Sequence, residues 1–463
     1  MPERPIVILH GWSDTSETFE PLARLLRGRL GREVSIVSLA DYVSMEDEVR
    51  FDDVAEAMDV AWRRHGLPRR KGAVDAVVHS TGGLVIRDWL ERHYTPARAP
   101  VKHLVMLAPA NFGSHLAHKG RSFIGRVYKG FVAKKPEGRA FETGTHILRG
   151  LELASPYTWR LAERDRFGRG GTMYQPGNVL CTVLVGNRGF RGISSIANED
   201  GSDGTVRAST ANLDCVRIGA VFPARPEAGG PGVEYTLEAS TGATAFGLLE
   251  DHNHGTITLS HRRRPVRDEA RDSPDGDLLD RIVRGLTVDD DGFEAWRREL
   301  DEGNRALAPP APRRDARNHG FQNTVVRVRD QYGVGVDDHL LEFYEDDHDR
   351  GDLVARLFHE SAIRKVHKYS GDPSYRSVYV DCTRLARTID KVHEALSLSI
   401  TAYPELDERT PVGFTTLGSG GRGGVRIPRD AIARFFAPHR TALVTLQLTR
   451  QQSEATFRFR DHR

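Results

Sequence analysis

Cysteine is scarce in this chain. Three occur in 463 residues, Cys181, Cys215 and Cys382, far apart and in no paired-thiol spacing, which excludes a disulfide framework and a zinc-finger set. Net charge is nearly absent too: 66 Lys and Arg stand against 64 Asp and Glu, a formal charge of +2. That balance argues against nucleic acid or an anionic membrane surface as an electrostatic partner. No apolar run approaches the ~20 residues needed to span a bilayer. Met1-Pro2-Glu3-Arg4 leads directly into a strand, without the apolar core and cleavage site of a signal peptide. The expectation is a cytoplasmic protein, with export by a route that needs no cleaved signal left open. Internal repeats and long low-complexity segments are also missing. What the chain has is length and apolar content, enough for a large core and two domains.

The sequence is organised around Ala73 to Trp89. Val74, Ala76, Val77 and Val78 suit a buried parallel strand, and Leu84, Val85, Ile86, Trp89 and Leu90 follow at helical spacing. Ser80 sits in the turn between them, the arrangement of a nucleophile elbow. Gly82 relieves crowding after the serine; Val78 stands where the G-x-S-x-G pattern has its first glycine. A serine that merely caps a helix is the plain alternative. Around this unit strands are expected at Pro5–Leu9, Val34–Leu39, Val101–Leu107 and Val179–Val185, with helices at Phe19–Leu30 and Phe51–Trp62. Strands alternating with helices predict a mainly parallel sheet covered on both faces. Such sheets bind ligands at the carboxyl ends of their strands.

Leu9-His10-Gly11-Trp12, Val78-His79-Ser80-Thr81-Gly82-Gly83 and Leu107-Ala108-Pro109-Ala110-Asn111-Phe112-Gly113-Ser114 together resemble motifs of the α/β-hydrolase superfamily, and within it those of bacterial lipases and esterases. The resemblance covers roughly residues 5 to 260. It implies a serine nucleophile at Ser80 and an oxyanion hole from the backbone N–H groups of Trp12 and Thr81. It also implies the order Ser, then Asp or Glu, then His. Asn198 to Val206 carries the acid, with Asp203 favoured because Asp-Gly followed by a β-branched residue is similar to the acid loop of lipases; Asp200 is the competitor. Asp251 to Ile257 carries the base. His254, followed by two small residues and an aliphatic one, is preferred over His252. A zinc reading of Asp251, His252 and His254 lacks a closing ligand.

Asn111 to Gly177 is an insertion with an apolar stripe at Phe123, Ile124, Val127, Tyr128 and Phe131. In this superfamily such insertions are similar to lids that shape an acyl pocket; two amphipathic helices packed on the sheet are the alternative. Helices are expected at Leu278–Leu286 and Phe293–Leu300, and the Pro-rich run Ala306–Pro312 reads as part of a linker. From about Gly320 the pattern changes to period two. Strands are expected at Thr324–Arg329, Leu340–Tyr344, Ser377–Val380, Ser397–Ile400, Val425–Ile427, Ala442–Leu448 and Thr456–Phe459, the signature of a small β-sandwich. Glu345 to Asp349 reads as a solvated acidic loop.

The expected architecture is an α/β-hydrolase domain at 1–303 with a helical lid at 111–177, a linker at 304–319 and a β-sandwich-like domain at 320–463. The expected activity is hydrolysis of carboxylic esters of hydrophobic acyl groups through an acyl-enzyme, requiring neither metal nor organic cofactor. The expected partner is a lipid or other hydrophobic ester, with contact to a lipid surface left open and no nucleic acid; the oligomeric state is not readable. An acyltransferase or thioesterase on the same triad is the nearer alternative. A non-catalytic α/β-hydrolase-like binding module, which Val78 favours, is the other.

Overall fold

The computed structural model describes residues 3–10, 16–42, 46–119, 144–168, 172–224, 233–260, 273–345, 352–407, 409–417, 424–453 and 456. The chain forms two compact units, 1–214 with 240–319, and 215–239 with 320–463.

In the first unit, β1 (Ile6–His10) leads through α1 (Ser16–Leu30) to β2 (Val34–Ser38), and α2 (Phe51–Arg64) leads to β3 (Val74–His79). Next come α3 (Gly82–His93), β4 (Val101–Leu107) and β5 (Leu180–Gly186). The chain then leaves this unit for β6 (Cys215–Val221) and β7 (Tyr235–Ala239) and returns as β8 (Thr244–Leu249). The six strands stand in the order β2-β1-β3-β4-β5-β8, all parallel. Central strands of such a sheet have no wet face, so they read as unbroken apolar runs. Every residue of β3, β5 and β8 is buried. On the flanking helices Phe19, Leu22 and Leu26 of α1, and Val54, Met58 and Trp62 of α2, turn inward. The Trp62 and Trp89 rings pack with centroids 4.6 Å apart. Helix Pro274–Thr287 closes the sheet with Leu278, Leu279, Ile282 and Leu286.

Among the described residues the second unit has two larger sheets around its own core and a two-stranded ribbon of Val412–Gly413 with Gln451–Gln452. Its strands are β9 (Phe321–Asp330), β10 (His339–Tyr344), β11 (Ile363–Lys368), β12 (Tyr375–Asp381) and β13 (Ala395–Ala402). They continue with β14 (Val412–Gly413), β15 (Val425–Pro428), β16 (Arg440–Leu448) and β17 (Gln451–Gln452). One sheet runs β11-β12-β9-β16-β6-β7, the other β10-β13-β15. Val326 and Val444 from the first meet Leu398 and Ile427 from the second in one cluster, a sandwich-like arrangement.

The contiguous division at residues 303 and 320 needs correction at one place. β6 and β7 lie between strands of the first unit in sequence but pair into the second unit's sheet, β6 parallel to β16. Nothing in the period of Cys215–Val221 says which sheet supplies its partner, because pairing is set by what lies alongside. The expected linker is short: helix Phe293–Leu307 runs into its start, and residues 308–319 stay with the first unit. β11, whose residues are exposed or half-buried along its whole length, shows no clear alternation in sequence. Of Thr456–Phe459, residues 457–459 lie outside the described residues, as do 346–349 of the acidic loop.

Candidate active site

Ser80 joins β3 to α3 with φ of 54°, a left-handed conformation that non-glycine residues adopt at a cost of about 1–3 kcal/mol. Neighbouring backbone holds it there. The Ser80 N–H donates to the Leu107 carbonyl at 3.1 Å, and the Ser80 carbonyl accepts from Ala110 at 3.2 Å and Gly83 at 3.1 Å. The turn therefore forms with Val78 fully buried in β3 beside its register partner Met106. The tight position is Gly83: a Cβ there would sit 2.6 Å from the Pro109 Cβ and 3.3 Å from Asn111 Oδ1. The sequence reading had assigned crowding relief to Gly82.

His254, in the loop after β8, lies with Nε2 3.0 Å from Ser80 Oγ and Nδ1 2.8 Å from Asp203 Oδ2. These partners assign the tautomer: Nδ1–H donates to the carboxylate, and Nε2 accepts from the hydroxyl. The other carboxylate oxygen, Asp203 Oδ1, accepts from the N–H groups of Thr205 at 2.9 Å and Val206 at 2.8 Å. The His254 N–H donates to the Asp203 carbonyl at 3.1 Å. All three side chains are buried.

The alternatives fall elsewhere. Asp200 lies on an exposed turn. His252 is buried, but its Nε2 donates to the Pro274 carbonyl at 3.0 Å, so it does not converge with His254 on a metal. His79, which precedes the serine, packs its ring 4.8 Å from that of His254 and donates from Nε2 to the His254 carbonyl at 3.0 Å. Trp12 lies outside the described residues; Thr81 stands at the N-terminus of α3.

A second set of contacts was invisible in sequence. Arg87, fully buried on α3, makes a two-pronged pair with Asp165 at 2.8 and 2.9 Å and donates to the Asn111 carbonyl at 2.9 Å. Burial opposes the Arg87 charge, but Asp165 outweighs it and holds the pKa above the ordinary value. Asn111 Nδ2 in turn donates to the Ala211 carbonyl at 2.7 Å, and Ser114 Oγ to that of Thr205 at 2.6 Å. The elbow helix, the loop after β4 and the acid loop are thereby joined. Under the acid loop His115 is buried, with Nδ1 3.7 Å from Glu199, and burial pushes its imidazole down to about 4.

Of the expected lid, the stripe at Phe123–Phe131 lies outside the described residues. The described part forms helices Thr145–Leu151 and Pro156–Ala162. These pack on the body: Tyr157 stacks on Phe51 at 4.3 Å, and Ile147 and Leu161 join the core. For this portion the packed-helix alternative describes the structure.

No family model and no curated protein matches the chain. Among solved structures it is similar to phospholipase PlaB from Legionella pneumophila, with a TM-score of 0.78 and 23% sequence identity. That match covers 99% of this chain and 97% of that one. The chain has the α/β-hydrolase fold. PlaB in complex with thio-NAD superposes as closely, with a TM-score of 0.77, 22% identity, and 99% and 97% coverage. The likeness thus spans the α/β-hydrolase unit and the β-domain together. In the α/β-hydrolase sheet, Ser80 follows β3, Asp203 follows β5 and His254 follows β8. All three therefore stand at carboxyl ends of parallel strands, where such sheets place ligands.

Proposed function

We propose that the protein is a serine hydrolase cleaving carboxylic esters of hydrophobic acyl groups. The observation that carries the reading is the chain of hydrogen bonds from Ser80 Oγ through His254 to Asp203, on a serine held at positive φ. In this reading His254 Nε2 takes the hydroxyl proton as Ser80 attacks the carbonyl carbon, and Asp203 holds the imidazole in the required tautomer. Negative charge on the tetrahedral intermediate is met by the N–H groups of Thr81 and Trp12, Thr81 benefiting from the positive end of α3. His254 passes the proton to the leaving alcohol; water then attacks the acyl-enzyme with His254 again as base. A lipid ester as substrate is supported by the similar structure being named a phospholipase.

Labelling with a fluorophosphonate, with Ser80→Ala as control, tests the nucleophile. Hydrolysis of short- and long-chain p-nitrophenyl esters sizes the acyl pocket. Labelling lost in the variant supports the reading. A folded protein that never labels refutes it, and the α/β-hydrolase unit then becomes a binding module.

A further inference from the structure

Between the two sheets of the β-domain lies a cavity of about 150 Å³. Val326, Leu398, Ile427, Phe435 and Val444 are among the apolar side chains that line it. A cavity of about this size with apolar walls stays dry and takes up small apolar guests. Its rim is apolar as well: Leu340 on β10 and Val366 on β11 line it yet remain 43% and 54% exposed. Among the described residues β10 and β11 are edge strands of their respective sheets.

Among the described residues one charged side chain, Arg376 on β12, lines the cavity. It is 9% exposed, and its Nε has no hydrogen-bond partner among the described residues. Nη2 donates to the Asp337 carbonyl at 2.8 Å and Nη1 to that of His339, which leaves Nε as the guanidinium nitrogen with no acceptor among the described residues. Burial lowers the Arg376 pKa, with exposed Asp338 and Asp337 opposing, so an anion on Nε would relieve an under-compensated buried cation. The polar lining group Gln322, by contrast, is satisfied at both ends, by Thr324 and Ala437 at 2.9 Å each.

The register of β11 and β12 arranges these groups along a line. Val366 lies opposite Val378 and Lys368 opposite Arg376, and directly opposed residues share one face of the sheet. An apolar pair is thus followed on the same face by a cationic pair. We propose that this cavity binds a medium-chain fatty carboxylate, its chain between the sheets and its carboxylate at Arg376 Nε and Lys368. At about 30 Å³ per water-sized group the cavity holds roughly five chain atoms; the remaining carbons lie at the rim between Leu340 and Val366. A charge-assisted hydrogen bond from guanidinium to carboxylate suits the unpartnered Nε–H. Binding here is independent of whether Ser80 is reactive.

Calorimetric titration of the full chain with sodium octanoate, below its micelle concentration, tests the site. The titration is repeated on chain modified at Ser80 by a phosphonate, on Val366→Glu, which adds a like charge at an exposed position, and on Arg376→Gln. Expected is one octanoate per chain, retained after phosphonate modification and weakened at least tenfold in both variants, with octylammonium failing to bind. Absence of saturable binding, loss on phosphonate modification, equal affinity for octylammonium, or unchanged affinity in Val366→Glu would each overturn the proposal. Should Arg376→Gln fail to fold, Val366→Glu decides alone. A Ser80 that resists the phosphonate counts against the hydrolase reading only; the octanoate isotherm and Val366→Glu then decide this site.

Discussion

At Asp203 one oxygen belongs to the backbone and the other to His254, and that division makes a sharp test available. In Asp203→Asn the amide oxygen can still accept from Thr205 and Val206, so the loop keeps its shape. The amide nitrogen then faces His254 Nδ1 and favours the wrong tautomer. The expected result is a kcat lower by roughly 10⁴-fold with little change in melting temperature; a loss below tenfold would remove Asp203 from the orienting role. His115 carries a different signature. Its folded pKa is pushed down by burial to about 4 from an ordinary 6.5. Between those values the unfolded chain holds a proton that the folded chain does not, so stability rises with pH there and is lost as pH falls. The full effect is on the order of 3 kcal/mol at about 1.4 kcal/mol per unit. His115→Gln should flatten the urea midpoint between pH 7 and 4 relative to the parent. His339, also pushed down to about 4 by burial, is present in both proteins and cancels in the difference.

At the scale of elements, α3 is fastened at two points. One is the close approach of Gly83 to Pro109, where even one methyl group must displace backbone or ring. Gly83→Ala is expected to cost about 1–3 kcal/mol, as overpacking does, and to lower kcat because the displaced loop also anchors Ser80 through Ala110. Urea denaturation with a parallel esterase assay separates the two effects. The other is the Arg87–Asp165 pair, buried on both sides. Removing one partner from such a pair strands a charge at a cost of about 3–5 kcal/mol, whereas replacing both by apolar groups is often neutral. Arg87→Met should therefore be much less stable than Arg87→Met combined with Asp165→Leu. A double variant as unstable as the single one would show that the Arg87 bond to Asn111 is the larger contribution.

At the scale of the whole molecule, β6 and β7 decide where the β-domain ends. In the sheet order β16 lies between β9 and β6, so residues 320–463 alone would present β16 as an open edge, a template for aggregation. Circular dichroism and thermal melting should find that fragment without a cooperative transition. The same fragment with residues 215–239 joined to it should melt cooperatively. A cooperative transition in the shorter piece would mean that the hairpin is dispensable.

How much of this could be read from the residues differs by kind. The parallel sheet was legible because buried strands such as Val74–His79 and Leu180–Gly186 are mostly apolar, interrupted only by Asp75, His79 and Thr182, and the elbow because serine stands between such a strand and two glycines. Asp203 and His254 were legible as a pair in order, each with a competitor nearby; Asp200 and His252 differ from them in where the chain turns, which no local pattern records. The contacts of His79 with His254 and of Arg87 with Asp165 join residues 175 and 78 positions apart. The pairing of β6 with β16 likewise joins distant residues, Cys215 opposite Thr441. The amino-acid sequence by itself determined the periodicities, hence most of the elements and the order in which Ser80, Asp203 and His254 follow their strands, since these depend on neighbours within a few residues. Which oxygen meets which nitrogen, which sheet receives a strand and where a cavity stays open were decided by the tertiary structure, because each depends on groups brought together across the chain by burial.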